Sequence, residues 1–188
     1  PEFFTDLEEI LARYQRVVRA LVASPLPTMA VLDGAAFGFG ADLALACDLR
    51  IASDRAYFQE GFVRIGLIPD GGGTWMLPRL VGLAKALELA LLGERLSAEE
   101  ARQIGLVARV VSSEALEGTA ADIVFSLVNG PPLALRHIKR LMRAGTALPF
   151  DEALAAEGRA QLECLRSADC MEGIAAFFGK RPAQFEGR

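Results

Sequence analysis

Asp70 has the surroundings of a catalytic group, because it stands directly before three consecutive glycines in the stretch IPDGGGTWMLPR (68–79). Asp and Gly are common turn formers, and most Asp residues in such a place cap a helix or close a turn. Three glycines exceed what a cap needs, and they permit another group to approach the backbone closely at an entropic cost to folding. The stretch therefore has two interpretations, a turn or a general base held over open backbone.

A second glycine-rich stretch, DGAAFGFGADL (33–43), follows an apolar run and precedes a run of small residues. A loop of this kind between a strand and a helix exposes backbone N–H groups at the positive end of the helix, which suits a developing negative charge. It predicts either an oxyanion site with the N–H of Phe39 as a donor, or a close-packed turn that needs small residues. Asp42, just inside the helix, is either an acid or base near the same pocket or a partner of the helix dipole.

The spacing of residues argues against other kinds of site. A dinucleotide fingerprint needs a third glycine where Leu43 stands, and no Gly-Lys-Ser/Thr follows to make a phosphate-binding loop. His137 is the only histidine, and it lies in a basic helical stretch far from any glycine-set serine or cysteine. A packed or solvated histidine is therefore favoured over a catalytic triad. The three cysteines, Cys47, Cys164 and Cys170, lack metal-ligand spacing, so no metal site is expected.

The flanking elements must position these stretches. Apolar residues recur at helical spacing over 6–22, and the prolines that follow end that helix. A further helix opens with a capping box of Ser97 and Glu100 and closes at Gly105. Beyond Glu114 the chain has helical periodicity. Short apolar runs predict strands at 28–34, 49–53, 56–58 and 106–112, and helices are expected near 72–80 and 83–92. These patterns predict an α/β region over 1–112 and an all-helical region over 113–188.

The composition of the chain narrows the possible partners and location of the protein. The net charge of -4 argues against a nucleic-acid surface, which needs clustered positive charge. No apolar run reaches transmembrane length, and the opening residues do not resemble a secretion signal, so no membrane partner is expected. An odd number of cysteines favours free thiols and a cytoplasmic location. The chain starts within a predicted helix and without an initiator Met, so an upstream segment is expected.

Long stretches of the chain resemble a known family. PLPTMAVLDGAAFGFGADLALACDLRIAS (25–53) and RIGLIPDGGGTWMLPRLVGLAKALELALLGERLSAEEARQIGLVARVV (64–111) are similar to the crotonase, or enoyl-CoA hydratase/isomerase, superfamily. RSADCMEGIAAFFGKRPAQFEGR (166–188) resembles its C-terminal helix and tail. Among the branches, the stretch at 64–79 and this tail look most like the phenylacetate-pathway ring-epoxide/oxepin CoA isomerases.

The resemblance implies a spiral of ββα units, incomplete at the N-terminus of this chain, followed by a helical region that builds trimers or dimers of trimers. It also implies an acyl-CoA thioester substrate, with coenzyme A as part of the substrate and no separate cofactor. Two backbone N–H donors hold the thioester oxygen in this family as an enolate forms. One donor matches Phe39, where the family usually has glycine, and the other comes from a loop upstream of this sequence.

The family's hydratases carry two glutamates, whose positions match Asp42 and Phe62. Phe62 cannot move a proton, so water addition by two carboxylates is disfavoured. In several isomerase branches the base instead matches Asp70. The departure from the hydratase pattern therefore favours isomerisation.

The resulting hypothesis is an acyl-CoA isomerase in which Asp70 removes and returns a proton alpha to the thioester. The Phe39 N–H stabilises the enolate, and Asp42 is an auxiliary acid or a helix-start residue. The alternatives are an enoyl-CoA hydratase with Asp42 acting alone, and a non-catalytic crotonase-like protein that binds acyl-CoA or serves assembly. The residues expected to line the substrate site are Gly38, Gly40, Phe58, Phe62, Ile65, Gly72 and Trp75.

Overall fold

The computed structural model describes residues 6–188, which begin with helix α1 (Leu7–Ala23). This helix was predicted from its apolar spacing, and the structure confirms it. Val18 is its buried residue, while Tyr14 and Val17 on the apolar face are half exposed. Ser24 then leaves the helical conformation, with φ of -55° and ψ of 129°, ahead of the prolines. The helix therefore ends where the proline pattern predicts.

Residues 6–24 and 28–120 form one compact unit in which strands alternate with helices. After α1, its elements are β1 (Met29–Leu32), β2 (Ala35–Phe37), α2 (Phe39–Ala46), β3 (Leu49–Ser53), β4 (Tyr57–Gln59), a 3₁₀ helix (Gly61–Ile65), α3 (Gly73–Val81), α4 (Leu83–Leu92), β5 (Leu96–Ser97), α5 (Ala98–Gln103) and β6 (Arg109–Val111).

The described strands form two three-stranded sheets, ordered β1-β3-β6 and β2-β4-β5. Neighbouring strands are parallel except β4 and β5, which are antiparallel. Val31 pairs with Ile51 in the first sheet, and Phe37 pairs with Gln59 in the second. β1 and β3 lie in one sheet, and β2 and β4 lie in the other. Along the chain, α2 follows β1 and β2, and the 3₁₀ helix and α3 follow β3 and β4. This arrangement is the predicted spiral of ββα units.

Small residues allow the helices to approach the sheets closely. Ala41, Ala44 and Ala46 of α2 and Ala98 and Ala101 of α5 are at most 3% exposed. α2 contacts β2, α1 and α3, so it lies at the centre of this unit. The predicted capping box of α5 is present: the Ser97 hydroxyl accepts from the Glu100 N–H, and the Glu100 carboxylate accepts from the Ser97 N–H.

The structure differs from the sequence prediction in its shortest elements. β2 was predicted as loop, β5 was not predicted, and the predicted strand at 106–112 is reduced to β6. Leu106 and Val107 are buried, but their N–H groups donate to the Ala101 carbonyl at 2.8 and 3.2 Å. These two apolar residues therefore close the end of α5 and do not join the sheet.

Residues 25–27 and 121–188 form a second compact unit. It contains the end of α6 (Ser113–Val128) together with α7 (Pro132–Gly145), α8 (Phe150–Leu165) and α9 (Ala168–Gly179). α8 contacts both α7 and α9. The helical character predicted beyond residue 114 is confirmed. The division into domains at residue 112 and the role of 113–188 in trimerisation stay predictions.

The last residues of the second unit are tied to α9 by acidic side chains. The Asp169 carboxylate accepts from the N–H groups of Glu186 and Gly187 at 2.7 and 2.9 Å. Glu172 forms an ion pair with Arg181 at 2.6 Å. The tail that resembled the family C-terminus is therefore an ordered part of this unit.

Candidate active site

The two glycine-rich stretches meet in the first unit. The N–H of Gly71 donates to Asp42 Oδ2 at 2.7 Å, which joins the loop before α3 to the first turn of α2. Asp42 is completely buried in this contact. The structure thus brings together Asp42 and the Asp70 loop, which are 28 positions apart in the sequence.

Gly71 and Gly73 leave space that the Asp42 side chain occupies. A Cβ atom on Gly71 would lie 2.6 Å from Asp42 Cβ, and one on Gly73 would lie 2.1 Å from Asp42 Oδ1. Both distances are far shorter than any real contact of a Cβ atom. The close approach that the glycines permit is therefore made, at these two positions, by the chain's own carboxylate.

Burial raises the pKa of the Asp42 carboxyl to about 6. The Gly71 N–H opposes this shift because it donates to the charged form, and the neighbouring negative charge of Asp70 adds to the shift. Asp42 Oδ1 is buried without a hydrogen-bond partner in the described part of the chain. Asp42 is thus a carboxylate enclosed by backbone, and solvent does not reach it.

Asp70 is half-buried, and its Oδ1 atom is buried with no hydrogen-bond partner among residues 6–188. It does not cap the following helix, because the N-cap residue of α3 is Gly72. Its backbone carbonyl accepts from Gln15 Nε2 on α1 at 3.3 Å. Capping of α3 is therefore ruled out for Asp70, and its carboxylate retains an oxygen that can accept a proton.

Phe39 is the first residue of α2, so its N–H points out of the helix start and no carbonyl of the helix can accept from it. Gly38 precedes it with φ of 52° and ψ of -122°, a conformation that glycine adopts readily. The Gly38 N–H donates to the Gln59 carbonyl at 2.9 Å, which ties this turn to β4. The Phe39 ring lies 5.1 Å from the Tyr14 ring of α1, so its side chain is directed at that helix.

Four of the predicted lining residues, Gly38, Gly40, Phe62 and Gly72, lie at these turns. The Phe62 ring, 8% exposed, lies against Gly38, whose Cβ position would be 3.7 Å from the ring. Gly40 is exposed, with open space on its Cβ side. Gly72 is the left-handed residue that starts α3, and its Cβ position would be 3.1 Å from Met76 Cε. Their roles in substrate binding stay predictions.

The other predicted lining residues lie elsewhere in the unit. Phe58 is 5% exposed in the hydrophobic core, and the cavity that it lines has a volume of about 10 Å³. Ile65, at the end of the 3₁₀ helix, is exposed. Trp75 is half exposed on α3, and the Arg79 guanidinium stacks 3.9 Å from its ring centroid. Core packing accounts for Phe58, and its role in acyl binding stays a prediction.

Three residues near these turns were not predicted. Tyr14 and Gln15 of α1 contact Phe39 and the Asp70 carbonyl. The sequence carries a signal for Gln15: it lies four positions after Leu11 and three before Val18, so it is a polar residue on the apolar face of the helix.

Glu60 is the third, a carboxyl group that is 5% exposed and has no hydrogen-bond partner for either oxygen among the described residues. Burial, followed by the negative charge of Asp42, raises its pKa to about 8. Its only sequence signal is that it is the one acidic residue in the run AYFQEGF (56–62).

His137 lies in the second unit, where its Nε2 atom is 2.9 Å from Glu163 Oε2 of α8. It therefore joins α7 to α8 as a packed residue. Over residues 6–188, no group of three His, Cys, Asp or Glu side chains is arranged to hold a metal ion. No helix in the same range is both long and apolar enough to cross a membrane.

Comparison with known proteins identifies the family. The family model for enoyl-CoA hydratase/isomerase matches residues 6–188, and the chain belongs to this family, within the crotonase superfamily. The resemblance inferred from the sequence motifs is thereby confirmed, and so is the predicted fold class.

Individual relatives agree with this assignment. A probable enoyl-CoA hydratase of Rhodobacter capsulatus is 44% identical over 184 residues, which cover 97% of this chain and 72% of the relative. The 1,2-epoxyphenylacetyl-CoA isomerase of Escherichia coli K12 is 42% identical, over 93% of this chain and 67% of the relative. The crystal structure of an enoyl-CoA hydratase from Bacillus anthracis superposes with a TM-score of 0.95 at 32% identity, over 98% of this chain and 72% of that one.

Proposed function

We propose that this chain isomerises an acyl-CoA thioester by moving a proton from the carbon alpha to the thioester carbonyl. The observation that carries the proposal is the Asp70 carboxylate at a turn beside the start of α2, whose buried Oδ1 atom has no hydrogen-bond partner among residues 6–188. A general base needs such an oxygen to accept the proton of the substrate. The family assignment supports a CoA thioester as the substrate.

In the proposed reaction, the Asp70 carboxylate takes a proton from the alpha carbon, and the electron pair of that C–H bond moves into the thioester carbonyl. The oxygen of the resulting enolate accepts a hydrogen bond from the Phe39 N–H at the positive end of α2. The Asp70 carboxylic acid then returns the proton to another carbon of the conjugated system. No metal or redox cofactor is required, because backbone donors stabilise the charge.

Two features favour isomerisation over hydration. Phe62, which matches the second glutamate of the family's hydratases, is an apolar side chain packed against Gly38. Asp42, which matches the first, is fully buried and accepts from the Gly71 N–H. The pair of carboxylates that would activate and protonate a water is therefore absent from these positions. The likeness to the E. coli isomerase supports a ring-epoxyphenylacetyl-CoA as the substrate.

Hydration of an enoyl-CoA is the second candidate, since relatives at 44% and 37% identity are named as enoyl-CoA hydratases. Measurement of water addition to crotonyl-CoA separates the two reactions. The isomerase proposal predicts no hydration of crotonyl-CoA at a rate comparable to isomerisation.

The test of the proposal is Asp70→Asn, which keeps the shape of the side chain and removes its basicity. Isomerisation of enoyl-CoA and ring-epoxide-CoA substrates should fall by about 10² to 10⁴. Turnover close to that of the unsubstituted protein would remove Asp70 from the mechanism. Acyl-CoA binding without turnover by the unsubstituted protein would instead identify a binding protein.

We further propose that the protein is cytoplasmic and assembles as a trimer or a dimer of trimers. Leu83, Leu87 and Leu91 repeat every four residues along α4 and are 65%, 47% and 65% exposed. Such a row of exposed leucines on one helix is typical of a surface that another protein chain covers.

A further inference from the structure

The peptide group between Asp70 and Gly71 is hydrogen-bonded on both sides. Its carbonyl oxygen accepts from Gln15 Nε2 of α1 at 3.3 Å, and its N–H donates to Asp42 Oδ2 of α2 at 2.7 Å. The donor and the acceptor come from two different helices. This single peptide plane is therefore held at both ends by side chains that are remote in the sequence.

The side chain of Gln15 is itself oriented for this contact. Arg19 Nη2, one turn further along α1, donates to Gln15 Oε1 at 3.4 Å. Because the oxygen of the amide faces Arg19, the nitrogen is directed at the Asp70 carbonyl. The contact between the Tyr14 and Phe39 rings holds the same turn of α1 against the start of α2.

The side chain of Asp42 has little freedom to move. It is enclosed by Gly71 and Gly73, whose Cβ positions would overlap its Cβ and Oδ1 atoms. Gly71 is needed for this enclosure, yet a glycine after Asp70 leaves the backbone free to rotate. The two hydrogen bonds offset that freedom at the position where the candidate base is attached.

We propose that Gln15 and Asp42 are positioning residues that fix the Asp70–Gly71 peptide plane and thereby hold the Asp70 carboxylate in its reactive orientation. The inference rests on the proposed role of Asp70 as the base. Rotation of this plane changes the direction of the Asp70 side chain, so its loss misplaces the base with little effect on binding of the thioester. Asp42 acts through Asp70 and does not itself exchange a proton with the substrate.

The first arm of the test replaces Gln15 by Met, which retains the length of the side chain and removes the donor. Arg16→Met on the same helix is the matched control, because Arg16 is exposed. Gln15→Met should lower kcat for isomerisation about threefold to tenfold, with KM changed less than twofold, whereas Arg16→Met should leave both values unchanged. Equal kcat values for the two variants would overturn the inference.

The second arm compares Asp42→Asn with Asp42→Ala. The Asn side-chain oxygen can still accept from the Gly71 N–H, whereas Ala removes the acceptor. We expect Asp42→Ala to lose at least ten times more kcat than Asp42→Asn, again with KM little changed. If both variants lose the same large factor, Asp42 moves a proton itself and the inference is wrong.

Asp70→Asn separates failure of the inference from failure of the proposed function. If Asp70→Asn is inactive while Gln15→Met and Asp42→Ala match the unsubstituted protein, Asp70 is the base but the two residues do not position it. If Asp70→Asn remains active, the proposed function itself fails.

Discussion

At the scale of single residues, Asp42 and Asp70 differ in what their carboxylates contact. Asp42 is enclosed by glycine backbone and accepts from the Gly71 N–H, so solvent and a ligand cannot reach it. Asp70 is half-buried and has an oxygen without a partner in the described structure. These surroundings support the proposal that Asp70 transfers the proton and that Asp42 has a supporting role.

Glu60 provides a prediction about stability, because neither oxygen of its buried carboxyl group has a hydrogen-bond partner in the described part of the chain. Its pKa rises from the ordinary value of 4.5 to about 8 in the folded chain, so the folded state binds this proton more tightly than the unfolded state. The stability that this proton contributes is therefore fully present below pH 4.5 and is lost as the pH rises through about 8. Glu60→Gln removes the ionisation, and its stability should not fall in this way.

Urea unfolding at pH 5 and pH 8 measures this difference. The free energy of unfolding of Glu60→Gln relative to the unsubstituted protein should increase by about 3 kcal/mol between the two pH values. Glu94→Gln is the control, because Glu60 and Glu94 line the same cavity but Glu94 is exposed. The difference in free energy of unfolding between Glu94→Gln and the unsubstituted protein should stay constant. A constant difference for Glu60→Gln would show that Glu60 is ionised or solvated in the folded protein.

At the scale of elements, the start of α3 packs against the first turn of α2 through glycine. Gly73→Ala would place a methyl group 2.1 Å from Asp42 Oδ1, which forces the loop and the helix apart. We expect this substitution to lower the free energy of unfolding by about 2 kcal/mol and to reduce isomerisation as well. Thermal unfolding and the isomerase assay measure the two effects.

Gly118→Ala in α6 is the matched control for that substitution. Gly118 is also a helical glycine, but its Cβ position has open space around it. Alanine should raise helix stability there by about 0.5–1 kcal/mol. Equal effects of the two substitutions would mean that Gly73 does not pack against Asp42.

The elements also show how far the sequence predicts this fold. α1 and α5 follow from apolar spacing and a capping box, which are local signals. β2 and β5 have three and two residues, and both are strands only because they pair with β4. Pairing between distant residues leaves little trace in such short runs, so neither strand was predicted from the sequence.

The residues of the candidate site also fall into a group that the sequence predicts and a group that it does not. Asp70, Asp42 and Phe39 were recognisable from their glycine-rich surroundings and from the family resemblance. Gln15 and Glu60 were not, because their importance depends on which side chains and cavities the fold brings next to them. Gln15 reaches the Asp70 carbonyl across 55 positions of sequence, and no pattern local to α1 contains that information.

At the scale of the whole molecule, the row of Leu83, Leu87 and Leu91 on α4 predicts self-association. Leu87→Glu places a charge in the middle of this row, and burying it against another chain would be unfavourable. Size-exclusion chromatography with light scattering should show a trimer or hexamer for the unsubstituted protein and a smaller species for Leu87→Glu. Glu88→Gln, an exposed neighbour on α4, should keep the original mass.

A monomer at micromolar concentration for the unsubstituted protein would contradict the proposed assembly. An unchanged mass for Leu87→Glu would place the interface on another surface. Neither result tests the proposed chemistry of Asp70, because the residues of that turn all lie within the first unit.

Deuterium exchange measures directly the proposed transfer of a proton by Asp70 alpha to a CoA thioester. Phenylacetyl-CoA, which has alpha protons and cannot form an enoyl product, is incubated with the protein in D₂O and followed by NMR. The unsubstituted protein should introduce deuterium at the alpha carbon, and Asp70→Asn should do so at least about 100-fold more slowly. Exchange by Asp70→Asn at the original rate would show that Asp70 does not move this proton.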